Sequence, residues 1–242
     1  MKRNILLFIV LWVTTIAARA QQPYVIYPIP HSQTLTSGTA SMTAQVYIVA
    51  ENGIDDITIA RACEVLSAKG LSATISSHVV KGATNLHLGI NGSRGIADKQ
   101  IDKLQISREV FAQPKFDRHI VALRESGGNA RVVVLGENTD AVFCGLASLE
   151  QMLDAAGTEN MPCGTIYDYA DIRERGVVEG YYGVPYSCEV TKDLFRFMAR
   201  YKLNTYMYGA KSDPYHSQFW ESPYPTSITK AQEEIGYRSE ER

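Results

Sequence analysis

Two short apolar runs, GVVEG at 176–180 and LNTYMYG at 203–209, flank a segment whose apolar residues recur at helical spacing. This strand, helix, strand order constrains the chain more than any other feature. Over 187–202, Leu194, Phe197, Met198 and Tyr201 fall on one side and Lys192, Asp193, Arg196 and Arg200 on the other, as in a helix with one buried face. GVVEG is too apolar to have a wet face, so the pair reads as parallel strands joined by a helical crossover and buried on both sides. Gly180 and Lys211 stand 31 positions apart, and a (β/α)8 barrel of ~250 residues allots about 31 to each unit. An open doubly wound sheet has a similar period, so the spacing admits both. In either architecture the loops after the carboxyl ends of the strands build the ligand site.

Those loops are Gly180-Tyr181-Tyr182-Gly183 and the stretch from Ala210 to His216, which includes Lys211, Ser212 and Asp213. A glycine leaves its carbonyl open to a hydroxyl, tyrosines offer an apolar face with a polar tip, and a lysine donates hydrogen bonds. The combination suits a neutral polyol such as a sugar. Glu179 is adjacent, but side chains alternate along a strand and the sequence does not give its phase. His216 reads as a structural loop residue.

Ahead of this unit, Lys2 and Arg3 precede the apolar run Ile5 to Val13, and Ala18-Arg19-Ala20 supplies small residues for cleavage. Residues 1–20 are therefore expected to be a signal peptide of an exported, periplasmic or secreted protein. The run is about half of the ~20 apolar residues that span a bilayer, so no membrane anchor is expected after cleavage. A net charge of −2 with 21% charged residues argues against an electrostatic nucleic-acid binder. Cys63, Cys144, Cys163 and Cys188 are too sparse for a disulfide-stapled mini-domain and lack C-x-x-C spacing. Cys63 and Cys144 read as buried thiols.

Residues 21–168 read as an α+β domain, a sheet covered by two helices. YVIYPIP looks like an extended edge segment broken by prolines. A helix is expected within 52–69, with Ile59, Ala62, Cys63 and Leu66 on its buried face, Asp55 or Asp56 as cap and Gly70 as stop. Strands are expected at 72–76 and 85–90, the latter entering an Asn91-Gly92 hairpin turn, and a hairpin at 119–125 and 131–137. A second helix should span Thr139 to Ala156, with Gly157 as its stop. VVVLGENTD lacks G-x-G-x-x-G, so its glycine is read as a strand-to-helix turn and no dinucleotide is expected. His31, His78, His87 and His119 lack ligand spacing and read as surface or partly buried residues; no metal or other cofactor is expected.

RGVVEGYYGVPYS followed by KLNTYMYGAKSDPYH resembles the first two barrel strands of glycoside hydrolase family 84, the O-GlcNAcases and bacterial β-N-acetylglucosaminidases once called hyaluronidase-like. The segment ending in AVFCGLASLEQML and GTIYDYADIRERG is similar to the α/β domain that precedes the barrel there and in β-hexosaminidases. The resemblance implies an α/β fold: a hexosaminidase-like N-terminal sheet-and-helix domain, then the first two β/α units of an incomplete TIM barrel over 169–225, and a charged tail over 226–242. It implies a retaining glycosidase for terminal β-linked N-acetylglucosamine on a glycan or glycoprotein. There the substrate's 2-acetamido oxygen attacks the anomeric carbon, one aspartate orients the amide and a second protonates the leaving oxygen, an exception to the two-carboxylate scheme. By position, Gly180 matches the glycine whose backbone contacts the sugar, Lys211 the lysine that hydrogen-bonds it, and Tyr182 a pocket-lining tyrosine. The family commonly has two aspartates after the lysine; here Ser212 replaces the first, leaving Asp213 as second support of Lys211.

After Arg175, 67 residues follow, about two of the eight units of a barrel. The expectation is a truncated chain, inactive alone, whose catalytic Asp-Asp pair lies beyond residue 242. The one Asp-Asp present, Asp55-Asp56, stands at a helix start in the first domain. Two other readings are a secreted carbohydrate- or partner-binding module without catalysis and a small flavodoxin-like protein. The second requires a phosphate-binding loop that the sequence lacks.

Overall fold

The computed structural model describes residues 24–180 and 186–208. Alternation sets its layers. In β5 (Phe116–Ser126) and β6 (Asn129–Gly136), joined antiparallel through Gly127 and Gly128, Val121, Leu123, Val132 and Val134 point one way and Ile120, Ala122, Val133 and Leu135 the other. All eight are buried, so this hairpin is the middle of a three-layer unit rather than a half-wet sheet. Each large aliphatic side chain removed from water here contributes roughly 1.5–3 kcal/mol.

The remaining strands are β1 (Ser32–Ala40), β2 (Gln45–Ala50), β3 (Ser72–Ile75), β4 (Thr84–Ile90) and β7 (Met161–Ala170), giving a seven-stranded sheet of order β1-β7-β5-β6-β4-β2-β3. Pairing is antiparallel from β1 to β6 and parallel from β6 to β3. One face packs on α1 (Asp56–Ser67) and α3 (Thr139–Ala156); the other packs on α2 (Ile96–Lys103) and a 3-10 turn at Glu109–Ala112. The two-helix cover expected from the sequence therefore lacks a layer. α2 escaped notice because its only fully buried apolar residues are Ala97 and Ile101. Its start is held by Glu51, whose Oε1 accepts from the Ala97 N–H (2.5 Å).

α1 is capped by Asp55, which accepts from the Thr58 N–H (2.7 Å), and α3 by Asn138, which accepts from the Ala141 N–H (2.9 Å). Burial within α1 falls on Thr58, Ala62, Val65 and Leu66; Cys63 is half-buried and Cys144 buried. Gly136 is a close-packing position: a β-carbon there would stand 2.6 Å from the Val142 nitrogen. Two expectations are corrected here. YVIYPIP is not an edge strand, because Gln151 of α3 occupies its backbone: the Tyr27 N–H donates to Gln151 Oε1 (2.7 Å) and Gln151 Nε2 to the Tyr27 carbonyl (2.8 Å). Asn91-Gly92 is not a hairpin turn, since β4 pairs parallel with β2 and β6 and leads into α2.

Beyond the sheet, β8 (Gly176–Glu179), α4 (Cys188–Arg200) and β9 (Thr205–Tyr208) form the βαβ unit expected from the spacing, with β8 and β9 parallel and Glu179 opposite Tyr208. Gly176 allows this approach: a β-carbon there would lie 1.5 Å from the Thr205 carbonyl oxygen. The unit docks on the sheet domain through charge. Arg175 donates to Asp117 (2.5 Å), Arg200 pairs with Asp154 (2.5 Å) and Glu150 (3.5 Å), and Lys202 pairs with Asp168 (2.6 Å). Arg200, expected on the wet side of α4, thus faces α3, while Phe197, expected inside, is exposed. The acidic pair Glu150 and Asp154, one turn apart on α3, draws the guanidinium across.

Candidate functional site

Parallel pairing puts the carboxyl ends of β8 and β9 side by side, and Gly180 leaves directly from the first of them, exposed. Tyr182, Lys211 and Asp213 lie outside the described residues. In parallel register Val177 and Glu179 share a face with Tyr206 and Tyr208, and the ring of Phe195 from α4 meets Tyr206 edge-on at 5.0 Å, so α4 covers that face. Val178 and Met207 point the other way and are 58% and 57% exposed. By alternation Gly180 belongs to this open face.

The phase of Glu179, open in the sequence, is now fixed. Its side chain turns under α4 and is 1% exposed. Oε1 accepts from the Tyr186 N–H (2.8 Å), and Oε2 accepts from the Tyr206 hydroxyl. A buried carboxylate with two donors is a stabilised acceptor, and this one faces away from the open side where Gly180 leaves. Tyr206 and Tyr186 were not singled out from sequence; the T-Y-M-Y alternation of β9 carried the signal for the former.

A concavity lies at the opposite ends of the same strands. A cavity of about 320 Å³ is lined by Pro28, His31, Asp117, His119, Arg175 and Lys202, among others, at the seam with the sheet domain. His119 Nδ1 donates to the Asp117 carbonyl (2.6 Å), leaving Nε2 as an acceptor 3.9 Å from Asp168. Burial, helped by the positive charge of Lys202 and opposed by Asp168, pulls the His119 pKa down to about 4. Burial likewise pushes the Cys144 thiol up to about 12. His87 is also fully buried and is held at about 4 by burial and Arg131. His87 and His119 are thus core residues, not the surface or partly buried ones expected, because β4 and β5 are covered on both faces. Ligand sites of parallel α/β sheets gather at the carboxyl ends of the strands, so the Gly180 end is the candidate site.

Among the described residues no group of three or more His, Cys, Asp or Glu side chains is disposed to hold a metal ion, and no helix is long and apolar enough to cross a membrane. All four cysteines are free thiols.

The family model described as glycosyl hydrolase family 20, domain 2 matches residues 23–169, and the one described as beta-N-acetylglucosaminidase matches residues 175–242. Protein O-GlcNAcase of Mus musculus is 39% identical over 94 residues, covering 36% of this chain and 10% of that protein. The solved structure of CpGH84D is 35% identical with a TM-score of 0.74, covering 88% of this chain and 35% of its own. CpGH84B shares the fold at 24% identity and a TM-score of 0.63, covering 88% of this chain and 34% of its own. The chain therefore spans a small part of its relatives' length.

Proposed function

Because the chain belongs to glycoside hydrolase family 84 and carries a glycosyl hydrolase family 20 domain 2 over residues 23–169, we propose that it forms the sugar-binding entrance of a retaining β-N-acetylglucosaminidase. The observation that carries this reading is the parallel pair β8–β9, whose carboxyl ends lie together at the end from which Gly180 departs. In this reading β8 and β9 are the first two staves of a (β/α)8 barrel. α4 covers the outside, and the open face with Val178 and Met207 turns inward.

The Gly180 carbonyl accepts from a sugar hydroxyl, Lys211 donates to another, Tyr182 packs on the pyranose ring, and Asp213 steadies Lys211. The 2-acetamido oxygen of a terminal β-linked N-acetylglucosamine attacks the anomeric carbon. The two aspartates that orient the amide and protonate the leaving oxygen come from outside these 242 residues. Asp55-Asp56 does not serve, since Asp55 is committed to capping α1. The natural substrate is an N-acetylglucosamine-bearing glycan or glycoprotein, met after export.

Calorimetric titration of the chain with N-acetylglucosamine tests the binding claim. Millimolar binding lost in Lys211→Ala is expected, and equal binding by both proteins overturns it. Turnover of an aryl β-N-acetylglucosaminide by the 242-residue chain, abolished by Lys211→Ala, would refute the claim that the acid chemistry lies elsewhere.

A further inference from the structure

Another pocket lies on the sheet domain and takes no lining residue from the βαβ unit. Its volume of about 310 Å³ is at the lower end of the ~300–1,000 Å³ usual for small-molecule sites. Alternation along β7 turns Tyr167 and Tyr169 to one face, about 6–7 Å apart, where both pack in part on the Ile106 and Val110 side of the core. Tyr169 is braced. His31 stacks on it with ring centroids 3.6 Å apart, Lys115 stands 6.0 Å from its ring centre, and Asp171 meets both His31 Nε2 (3.7 Å) and the Lys115 ammonium (2.7 Å). Tyr167 is not braced: among the described residues its ring meets no other ring and its hydroxyl makes no hydrogen bond. The 3-10 turn at Glu109–Ala112 and the residue after it supply the rim. The Glu109 carboxylate and the Gln113 side-chain amide are exposed there, and among the described residues neither makes a hydrogen bond or ion pair.

We infer that this pocket is a second saccharide site, in which the Tyr167 ring packs on a sugar ring while Glu109 and Gln113 bond its hydroxyls. The free groups select the ligand. A sugar hydroxyl both donates and accepts; the carboxylate accepts, and the amide and the tyrosine hydroxyl do both. The Tyr167 ring adds an apolar face with a polar tip, as the C–H face and hydroxyl rim of a pyranose require. Charge excludes an anion, because Glu109 is the uncompensated charge of the pocket and His31 Nε2 faces Asp171. The pocket holds one sugar unit at a time, and the rest of the chain runs on over the exposed rim. The site therefore captures a neutral oligosaccharide and takes no part in bond cleavage. That the units are N-acetylglucosamine rests on the function proposed above; the preference for a neutral saccharide rests on the lining alone.

Residue-resolved amide shifts of the full chain titrated with chitotetraose test the site. Shifts at Tyr167, Tyr169 and Gln113 with a dissociation constant on the order of 1 mM are expected. A single N-acetylglucosamine lacks the rim contacts and should bind there at least about tenfold more weakly, so the monosaccharide titration reports the Gly180 end. Tyr167→Ala should weaken chitotetraose at these amides at least about tenfold, and Tyr167→Phe about threefold, since the ring stays and one hydroxyl is lost. Gln113→Ala and Glu109→Gln, both on the exposed rim, should each weaken it about threefold, and they decide the matter if Tyr167→Ala does not fold. A hyaluronan tetrasaccharide, in which the same amino sugar alternates with glucuronate, should bind more weakly, and Glu109→Gln should narrow that gap. Absence of shifts at Tyr167, Tyr169 and Gln113, or affinity there unchanged in the folded variants, overturns the site. Tighter binding of hyaluronan than of chitotetraose overturns the preference for a neutral ligand. Lys211→Ala should leave the Tyr167 shifts in place. Shifts at this pocket with none at Gly180 and Lys211 would sink the proposed function and leave this site standing; shifts at Gly180 and Lys211 alone would do the reverse.

Discussion

Replacing Asp168 by asparagine should cost far more than an ordinary polar substitution. Asp168 and Lys202 are 7% and 8% exposed at the side chain and 2.6 Å apart, joining β7 to the turn that follows α4. The amide would keep the shape of the carboxylate but leave the Lys202 ammonium uncompensated in the seam, and breaking a buried pair in this way costs about 3–5 kcal/mol. At roughly 2–4 °C per kcal/mol for a protein of this size, the melting temperature should fall by about 6–20 °C. Lys202 adds a second handle, since its φ of 60° is left-handed. Lys202→Gly should recover about 1–2 kcal/mol of backbone strain while losing the pair, a net loss smaller than that of Lys202→Met. Combining Asp168→Asn with Lys202→Met should destabilise by clearly less than the sum of the two, because the stranded charge is removed. Thermal melts followed by circular dichroism give all four values. A drop below about 2 °C for Asp168→Asn, or strict additivity in the double variant, would refute the reasoning.

Two further outcomes follow from the same packing. His87 and His119 are held at about 4 against an unfolded value of 6.5, so the unfolded chain binds more protons between those values. Stability should be complete above pH 6.5 and decline toward pH 4 by up to about 3 kcal/mol per histidine. Urea titrations at pH 7 and pH 5 check this, and equal midpoints would contradict the buried, neutral assignment. Gly176→Ala should separate β8 from β9, since the added carbon would overlap the Thr205 carbonyl. We expect about 1–3 kcal/mol or more of destabilisation, with amide protection in β8–β9 lost before that of β5–β6. Uniform loss across both sheets would argue against it.

The helices and the hairpin of the sheet domain were legible wherever a periodic apolar face met a good cap. α3 runs Thr139–Ala156 as read, because Asn138 and Gly157 bracket it. The β8–α4–β9 unit was legible from period alone. β1 was not: SQTLTSGTA pairs only with β7, and its half-wet edge leaves little apolar pattern. β7 was hidden by Pro162 and Gly164, residues that argue against an inner strand. Both are tolerated here: Pro162 stands near the strand start, and Gly164 gives room to β1, a β-carbon there lying 2.8 Å from the Thr34 carbonyl. At the candidate site, Gly180 could be placed from sequence because it ends an apolar run. The direction of Glu179 could not, because it depends on which face α4 covers. Nor could the Arg175–Asp117 contact, which joins residues 58 positions apart.

The central claim is that the sugar meets the carboxyl ends of β8 and β9 rather than the seam at their amino ends. An N-acetylglucosamine titration followed by residue-resolved amide chemical shifts tests it most directly. Shifts at Gly180 and Lys211, with the seam residues His119, Arg175 and Lys202 silent, are the predicted result. Shifts confined to the seam, with Gly180 and Lys211 unmoved, would contradict it.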